Sequence, residues 1–306
     1  MFDCIIIGAG PAGMTAAIYL ARKKVKVLII SSDFGGQMSK SASIENYPGI
    51  MKISGADLTN KMKEQVEELG VEIKNVVVTS VEKKDNGFSV NIDSEVIETK
   101  SVLVTSGKTH RHLNVPGEKE FTGKGVGYCV TCDGPLFKDK PVAIVGGGNS
   151  ALDGALELSK YASKVYILNV NETFQGDEVR VDEVNKSDKI EILAPVKTVE
   201  LTGDTVLQAL KYQDTKNNTE KEIVVNGCFV EIGWEPSAGP VKDLVELTAT
   251  GEIKTDPDGK TNCEGIYAAG DVTDVANKQI VIASGQAANA ALNLWKWLIT
   301  HNNSGK

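Results

Sequence analysis

The most specific chemistry in this 306-residue chain lies in Cys129-Val-Thr-Cys132, followed at once by Asp133-Gly134. Thiols two residues apart can close a small disulfide ring, and a thiolate at a helix amino terminus has a lowered pKa that makes it reactive. Such a pair could also be half of a zinc site. The chain has no second Cys-x-x-Cys or His pair to complete one, and only 3 His in all. The pair therefore reads as a redox disulfide that exchanges with a partner disulfide. One cysteine must then face the electron source while the other faces the partner. Asp133 stands where a carboxyl can give or take the proton of a leaving thiol. Capping a helix start would be a compatible second use.

Two glycine turns accompany the pair, Gly8-Ala-Gly10-Pro-Ala-Gly13 before it and Gly146-Gly-Gly148-Asn-Ser-Ala151 after it. Glycines at this spacing let the backbone turn tightly, approach a pyrophosphate and pack a helix on a sheet, while the helix amino terminus favours negative charge. Each turn follows a short apolar run and precedes a helix-like stretch, the context that distinguishes a dinucleotide turn from a plain loop. Gly35-Gly36-Gln37-Met38 and Glu45-Asn46-Tyr47-Pro48-Gly49 are further turns rich in hydrogen-bonding side chains. From their residues alone they read equally well as plain loops. Ser31-Ser32-Asp33 occupies the place of the usual acidic ribose ligand of the first site, and no role is assigned to Asp33.

The elements that must position these residues form two βαβ patterns. In the first, the apolar run 4–7 is a strand, 14–22 a helix and 25–30 a second strand; a helix over 55–70 and a strand over 101–107 follow. The pattern restarts with a strand at 141–145, a helix to about 160 and a strand at 165–168, an internal duplication of design. A strand over 223–232 closes this segment, and 265–271 and a long helix over 280–299 follow. Asp271 belongs naturally with the first nucleotide site, so the second domain is inserted into the first. The expected fold class is α/β, with two Rossmann-like nucleotide-binding domains. The expected boundaries are 1–116 and 243–306 for the discontinuous domain of the first nucleotide site, and 117–242 for the domain of the second site, which carries the cysteine pair.

Composition narrows the class. Apolar residues at 41% against 24% charged can offset chain entropy, so the chain is globular. With 33 Lys plus Arg against 41 Asp plus Glu, a net charge of −8 and no basic run, nucleic acid is excluded as a natural partner. The amino terminus enters a strand-like run without a basic leader, and no apolar stretch approaches the roughly 20 residues that span a bilayer. A cytoplasmic location is expected, with no membrane association. The odd count of 5 Cys argues against a secreted disulfide framework, leaving Cys4, Cys228 and Cys263 as inert packing residues. No metal site is expected.

The motifs Gly-Ala-Gly-Pro-Ala-Gly, Gly-Gly-Gln-Met, Glu-Asn-Tyr-Pro-Gly, Cys-Val-Thr-Cys-Asp-Gly, Gly-Gly-Gly-Asn-Ser-Ala and Ala-Ala-Gly-Asp-Val, in this order, resemble the low-molecular-weight thioredoxin reductases. The flavoprotein module of alkyl hydroperoxide reductase carries the same segments, after an additional amino-terminal thioredoxin-like region that these residues lack. The resemblance spans essentially the whole chain. It implies FAD in the outer domain, with Gly8, Gly10 and Gly13 at the pyrophosphate, Gln37 and Asn46 near the flavin, Asp271 on the ribityl chain, and Gln279 and Ile280 at the flavin ring. It further implies that Cys132 lies next to the flavin while Cys129 attacks the partner, thioredoxin or a thioredoxin-like protein. A homodimer is implied too, as is rotation of the inserted domain about links near Pro116-Gly117 and Gly239-Pro240.

The second site departs from the family pattern. Gly146, Gly148 and Ala151 keep the turn for a pyrophosphate. NADPH-dependent members continue with His-Arg-Arg-x-x-x-Arg, whose guanidinium groups hold the 2′-phosphate bidentately. Here the stretch is Asn169-Val170-Asn171-Glu172-Thr173-Phe174-Gln175, without arginine and with Glu172 and Asp177 expected to repel a phosphate. NADP(H) is disfavoured. NAD(H) is compatible with Asn169, and a non-pyridine donor such as ferredoxin or a deazaflavin is the remaining reading. The expected function is FAD-dependent, thioredoxin reductase-like disulfide reduction; the alternative is a flavin-binding redox sensor whose disulfide state controls partner association.

Overall fold

The computed structural model describes all residues except 42–43, 94 and 303–306, and the side chains of all but Cys132 and Asn302 among those described. Strand β1 (Phe2–Ala9) runs into helix α1 (Pro11–Arg22), with Pro11 supplying a preset φ in the first turn, and the chain returns as β2 (Val27–Phe34). A short α2 (Gly36–Ser39) and α3 (Gly55–Glu68) follow. Ser54 caps α3 by accepting the Asp57 N–H. Strands β3 (Glu72–Asn75), β4 (Val78–Lys84), β5 (Gly87–Ile92), β6 (Glu95–Val104) and β7 (Lys108–His110) complete this stretch.

The middle of the chain comprises α4 (Glu118–Phe121), β8 (Val126–Gly127), α5 (Val130–Asp133), β9 (Pro141–Val145), α6 (Asn149–Ser159), β10 (Lys164–Leu168), α7 (Glu178–Asn185) and β11 (Ile190–Leu193). Strands β12 (Val196–Gly203), β13 (Leu207–Asp214), β14 (Glu220–Val224), β15 (Gly227–Val230) and β16 (Trp234–Pro236) end it, before β17 (Ile266–Ala268) and α8 (Ile280–Asn302).

The chain divides into two compact units, Met1–Thr109 with Glu235–Lys306, and His110–Trp234. In the first, the sheet order is β3-β2-β1-β6-β5-β4, with β17 added beside β6. The strands β3, β2, β1, β6 and β17 are parallel, whereas β4 and β5 form antiparallel ladders. Alanines make the helix packing close: Ala12, Ala16 and Ala17 of α1 and Ala287, Ala290 and Ala291 of α8 are buried in one core cluster. In the second unit the sheet order is β11-β10-β9-β15-β8, all parallel, with a separate antiparallel sheet β12-β13-β14.

Three sequence expectations shift. The chain crosses between units at 109/110 and 234/235, rather than at 116/117 and 242/243, because β7 and β16 pair with each other in a two-stranded sheet at the crossings. Pro116-Gly117 instead starts α4 inside the second unit, and Gly239-Pro240 lies in a 3-10 turn of the first, so neither is a crossing link. The single strand expected over 223–232 is two: β14 joins the antiparallel sheet, and β15 starts at Gly227, where a Cβ would lie 2.7 Å from the Phe137 ring. Cys4, Cys228 and Cys263 are buried free thiols, with Cys4 and Cys228 pushed up to about 12 by burial. No helix among the described residues is long and apolar enough to cross a membrane, and no three His, Cys, Asp or Glu residues among them gather to hold a metal.

Candidate active site and nucleotide clefts

The first glycine turn sits where the sheet order reverses, between the carboxyl ends of β1 and β6. Such a switch point opens a crevice in any parallel sheet of this kind. Gly8 has φ +109°, and a Cβ there would lie 2.5 Å from the Thr105 carbonyl oxygen; at Gly13 a Cβ would lie 1.9 Å from the Gly8 carbonyl oxygen. Both glycines are therefore required by the fold itself. Gly10 differs: it starts α1 with φ −77°, and an added Cβ would meet no protein atom within 4 Å. Its bare Cα is what a closely approaching pyrophosphate needs, and the first-turn amides of α1 have no partner within the helix.

Distant segments converge on this turn. A Cβ at Gly36 would lie 3.7 Å from the Gly10 Cα, which brings the Gln37 turn alongside. Gln37 donates to the Lys108 carbonyl at 3.5 Å, and Asn46 Nδ2 donates to Gln279 Oε1 at 3.0 Å. A Cβ at Gly270 would be 3.1 Å from the Ala12 Cβ, so the next residue, Asp271, is held at the start of α1. Burial pushes the Asp271 carboxyl up, opposed by Lys108 and Lys278. Lys278 Nζ donates to the Asp271 and Thr273 carbonyls at 3.2 and 2.6 Å, and Ile280 begins α8 partly buried. Asp33 is exposed, within 3.5 Å of the Ser31 hydroxyl. The residues present fit FAD: a backbone cradle for the pyrophosphate, a partly buried carboxyl for hydroxyl groups, and a side-chain amide pair.

Cys129 immediately precedes α5, is disulfide-bonded, and accepts the Asp133 N–H on its carbonyl at 3.1 Å. The expected role of Cys132 concerns a side chain outside those described. Helix α5 is anchored on α6 from within the unit: Thr131 donates to Glu157 at 3.1 Å, and buried Val130 packs where a Cβ at Gly154 would come within 2.9 Å. Asp133 is half-buried, burial raises its carboxyl, and its Oδ2 lies 3.2 Å from where a Gly127 Cβ would stand. It occupies the cap position of the 3-10 turn Gly134–Phe137 without a side-chain capping bond.

A network the sequence did not reveal adjoins the disulfide. Tyr128 donates to buried Glu118 at 2.9 Å, and burial together with that carboxylate pushes its phenol up to about 12. Glu118 also accepts the Leu113 and Asn114 N–H groups, and the His110 and His112 rings lie 5.0 and 5.3 Å from the Tyr128 ring. These contacts fix the segment that leads into Cys129.

The second glycine turn repeats the first. It lies between the carboxyl ends of β9 and β15, again where the order reverses. Gly146 has φ +150°, and a Cβ there would lie 2.2 Å from the Glu231 carbonyl oxygen; Gly148 starts α6, and a Cβ there would meet nothing within 4 Å. Ala151 is fully buried in the first turn of α6. A cleft of about 850 Å³ opens here, lined among others by Gly146–Ser150, Asn169, Gln175, Lys197 and Glu231.

Asn169 is 1% exposed, donating to the Thr173 carbonyl at 2.9 Å and accepting the Asn171 N–H at 3.2 Å. Its amide organises the loop that follows β10. Glu172 does not stand as a bare negative charge there: it pairs with Lys216 at 2.8 Å. Asp177 likewise accepts from Asn149 at 3.2 Å. The Lys216 ion pair reduces the expected repulsion at Glu172, and no arginine stands between 169 and 175.

Two Rossmann-like units, one inserted in the other and bearing a disulfide beside a carboxyl, define a disulfide oxidoreductase of the two-nucleotide-domain class. The chain belongs to the pyridine nucleotide-disulphide oxidoreductase family, whose model matches residues 2–288. It is 36% identical over 300 residues to one of the alkyl hydroperoxide reductase subunits of Staphylococcus aureus strain MRSA252, a match covering 97% of this chain and 59% of that protein. The chain thus spans about three-fifths of the curated relatives it matches. Among solved structures it resembles Lactococcus lactis thioredoxin reductase in its FR conformation, at 36% identity and TM-score 0.76, covering 98% of this chain and 100% of that one. It also resembles a ferredoxin-flavin thioredoxin reductase from Clostridium acetobutylicum, at 31% identity and TM-score 0.56, covering 98% of each chain.

Proposed function

We propose that the protein is an FAD-dependent, thioredoxin reductase-like enzyme that passes two electrons from a reduced donor to a thioredoxin-like disulfide. The observation that carries this reading is the disulfide-bonded Cys129 immediately before an anchored helix, with the half-buried Asp133 carboxyl one helical turn on. FAD, when bound, supplies the two-electron relay between donor and disulfide. Gly8, Gly10 and Gly13 would hold its pyrophosphate, Asp271 its ribityl hydroxyls, and Gln37, Asn46, Gln279 and Ile280 the surroundings of its ring.

In the dithiol form, the Cys129 thiolate attacks one sulfur of the partner disulfide. That S–S bond breaks, a mixed disulfide forms, and the departing partner thiolate takes a proton, for which the raised Asp133 carboxyl is the source. Cys132 then gives its thiol proton to the Asp133 carboxylate and attacks Cys129, closing the Cys129–Cys132 disulfide, and the second partner sulfur leaves as a thiolate that takes that proton. One dithiol is oxidised and one disulfide reduced. The family's rotation of the inserted unit carries over to the crossings at 109/110 and 234/235, and its homodimer to this chain.

NADH or a non-pyridine donor ranks ahead of NADPH, because the loop after β10 presents Val170, Asn171 and Gln175 where arginines would grip a 2′-phosphate. The likeness to the ferredoxin-flavin enzyme supports the non-pyridine alternative. Anaerobic titration of the flavin spectrum with NADH, NADPH, reduced ferredoxin and reduced deazaflavin, each followed by addition of thioredoxin, tests donor and acceptor together. Bleaching by NADH or ferredoxin and reoxidation by thioredoxin is the expected result. A flavin that the donor reduces but thioredoxin never reoxidises would favour the redox-sensor role.

A further inference from the structure

We propose that Glu231 is a specificity-determining residue of the Gly146 cleft, admitting the pyrophosphate of a dinucleotide with its own carboxyl protonated, so that binding there takes up a proton. The inference rests on the reading of this cleft as a nucleotide site. It starts from the internal duplication. In the first unit the residue whose carbonyl blocks a Cβ on the first glycine of the turn is Thr105; in the second it is Glu231, at 2.5 and 2.2 Å respectively. The two positions correspond, each directly after the strand across the switch point. Thr105 is 4% exposed, and its hydroxyl donates to the Ile7 and Gly8 carbonyls at 3.0 Å each. The counterpart in the second unit is a carboxylic acid lining the cleft.

Burial alone pushes the Glu231 carboxyl up to about 7, with no charge or hydrogen bond opposing it. Its backbone is fixed by the Glu231 N–H, which donates to the Val145 carbonyl at 2.8 Å. A group with these surroundings responds to the charge placed beside it. Glu231 and Gly146–Gly148 line one cleft, so phosphate oxygens held at the turn disfavour the carboxylate relative to the neutral acid. The other charged groups on the cleft wall are His112, from the segment before α4, and Lys197, on β12; the Arg111 side chain lies near Gly233. His112→Gln is the control for the imidazole on the same wall.

The probe is ADP-ribose, which carries the pyrophosphate, lacks a redox-active ring and has no group that titrates between pH 6 and pH 8. Calorimetry on the oxidised holoenzyme in two buffers of different ionisation enthalpy counts the protons. With the free acid titrating at about 7, affinity should be about tenfold higher at pH 6 than at pH 8, with most of one proton taken up near pH 7.5. Glu231→Gln, checked for an intact flavin spectrum, should bind equally at both pH values without proton uptake, while His112→Gln keeps the wild-type behaviour. If ADP-ribose binds the wild type without pH dependence, or if His112→Gln and not Glu231→Gln removes it, the proposal is wrong and the cleft remains a nucleotide site. Absence of binding by the wild type and by Glu231→Gln at both pH values would overturn the nucleotide reading itself, and the proposal with it.

Discussion

At the scale of single residues, the glycines of one motif separate into two physical kinds. Gly13→Ala would drive a methyl to 1.9 Å from a carbonyl oxygen, so it should lower the yield of folded protein and the Tm whether or not FAD is present. Gly10→Ala meets no protein atom and needs no unusual φ, so the variant should fold with a near wild-type apo Tm and fail to retain FAD. Flavin content and apo melting, measured together, check the pair. Cys129→Ser should abolish thioredoxin reduction while leaving the flavin reducible by its donor, and unchanged turnover would refute the assignment. Glu231 gives a stability test free of ligand. Its carboxyl titrates at about 7 when folded against 4.5 otherwise, so the fold favours the neutral acid. The wild type should lose stability relative to Glu231→Gln as pH rises from 4.5 to 7, and the gap should level off above 7. A Tm difference that stays flat over this range would contradict the buried placement.

At the scale of elements, the proposed donor preference rests on the loop after β10. Val170 is 58% exposed, and Asn171 and Gln175 are exposed as well, so long side chains fit there without repacking. Buried Asn169 holds the loop from beneath, through its bonds to Thr173 and Asn171. Val170→Arg, Asn171→Arg and Gln175→Arg together should raise NADPH use at least tenfold, since each charge-assisted contact contributes about 1.5 to 3 kcal/mol. Because Lys216 already neutralises Glu172, the gain should not require removing that acid. Comparison of kcat/KM for NADPH and NADH in the triple variant and the wild type measures it. Efficient NADPH oxidation by the unmodified protein would contradict the argument.

At the scale of the whole molecule, the first unit is assembled from both ends of the chain. β17 adds to the sheet beside β6, and α8 packs its alanine face on α1. The proposed FAD ligands come from both pieces, Gly10 from one and Asp271 from the other, so cofactor binding should couple their folding. Added FAD should raise the apo Tm, as any ligand of the folded state does. Asp271→Ala should shrink that rise by removing a contact worth about 0.5 to 1.5 kcal/mol, with a matching loss of retained flavin on gel filtration. An apo protein that stays colourless and whose Tm ignores FAD would sink the flavin assignment.

Much of this was legible in the sequence because the signals are local. Strand, glycine turn and helix follow one another within about 20 residues in each unit, and the steric demands that select glycine there act between near neighbours and the adjoining strand. The Cys-x-x-Cys spacing and the start of α5 are likewise set by a few consecutive residues. What tertiary structure alone decided involves partners far apart in the chain. Asn46 and Gln279 meet across 233 residues, and Lys216 reaches Glu172 from the turn between β13 and β14. Crossings at 109/110 and 234/235 follow from the pairing of two three-residue strands too short for any periodic pattern to announce. Glu231 looked like one more residue of an apolar strand. Its place came from strand order, since the pairing of β15 with β9 sets the Glu231 backbone carbonyl against Gly146 and the residue on the cleft wall, where burial rather than any neighbour in sequence pushes its carboxyl up.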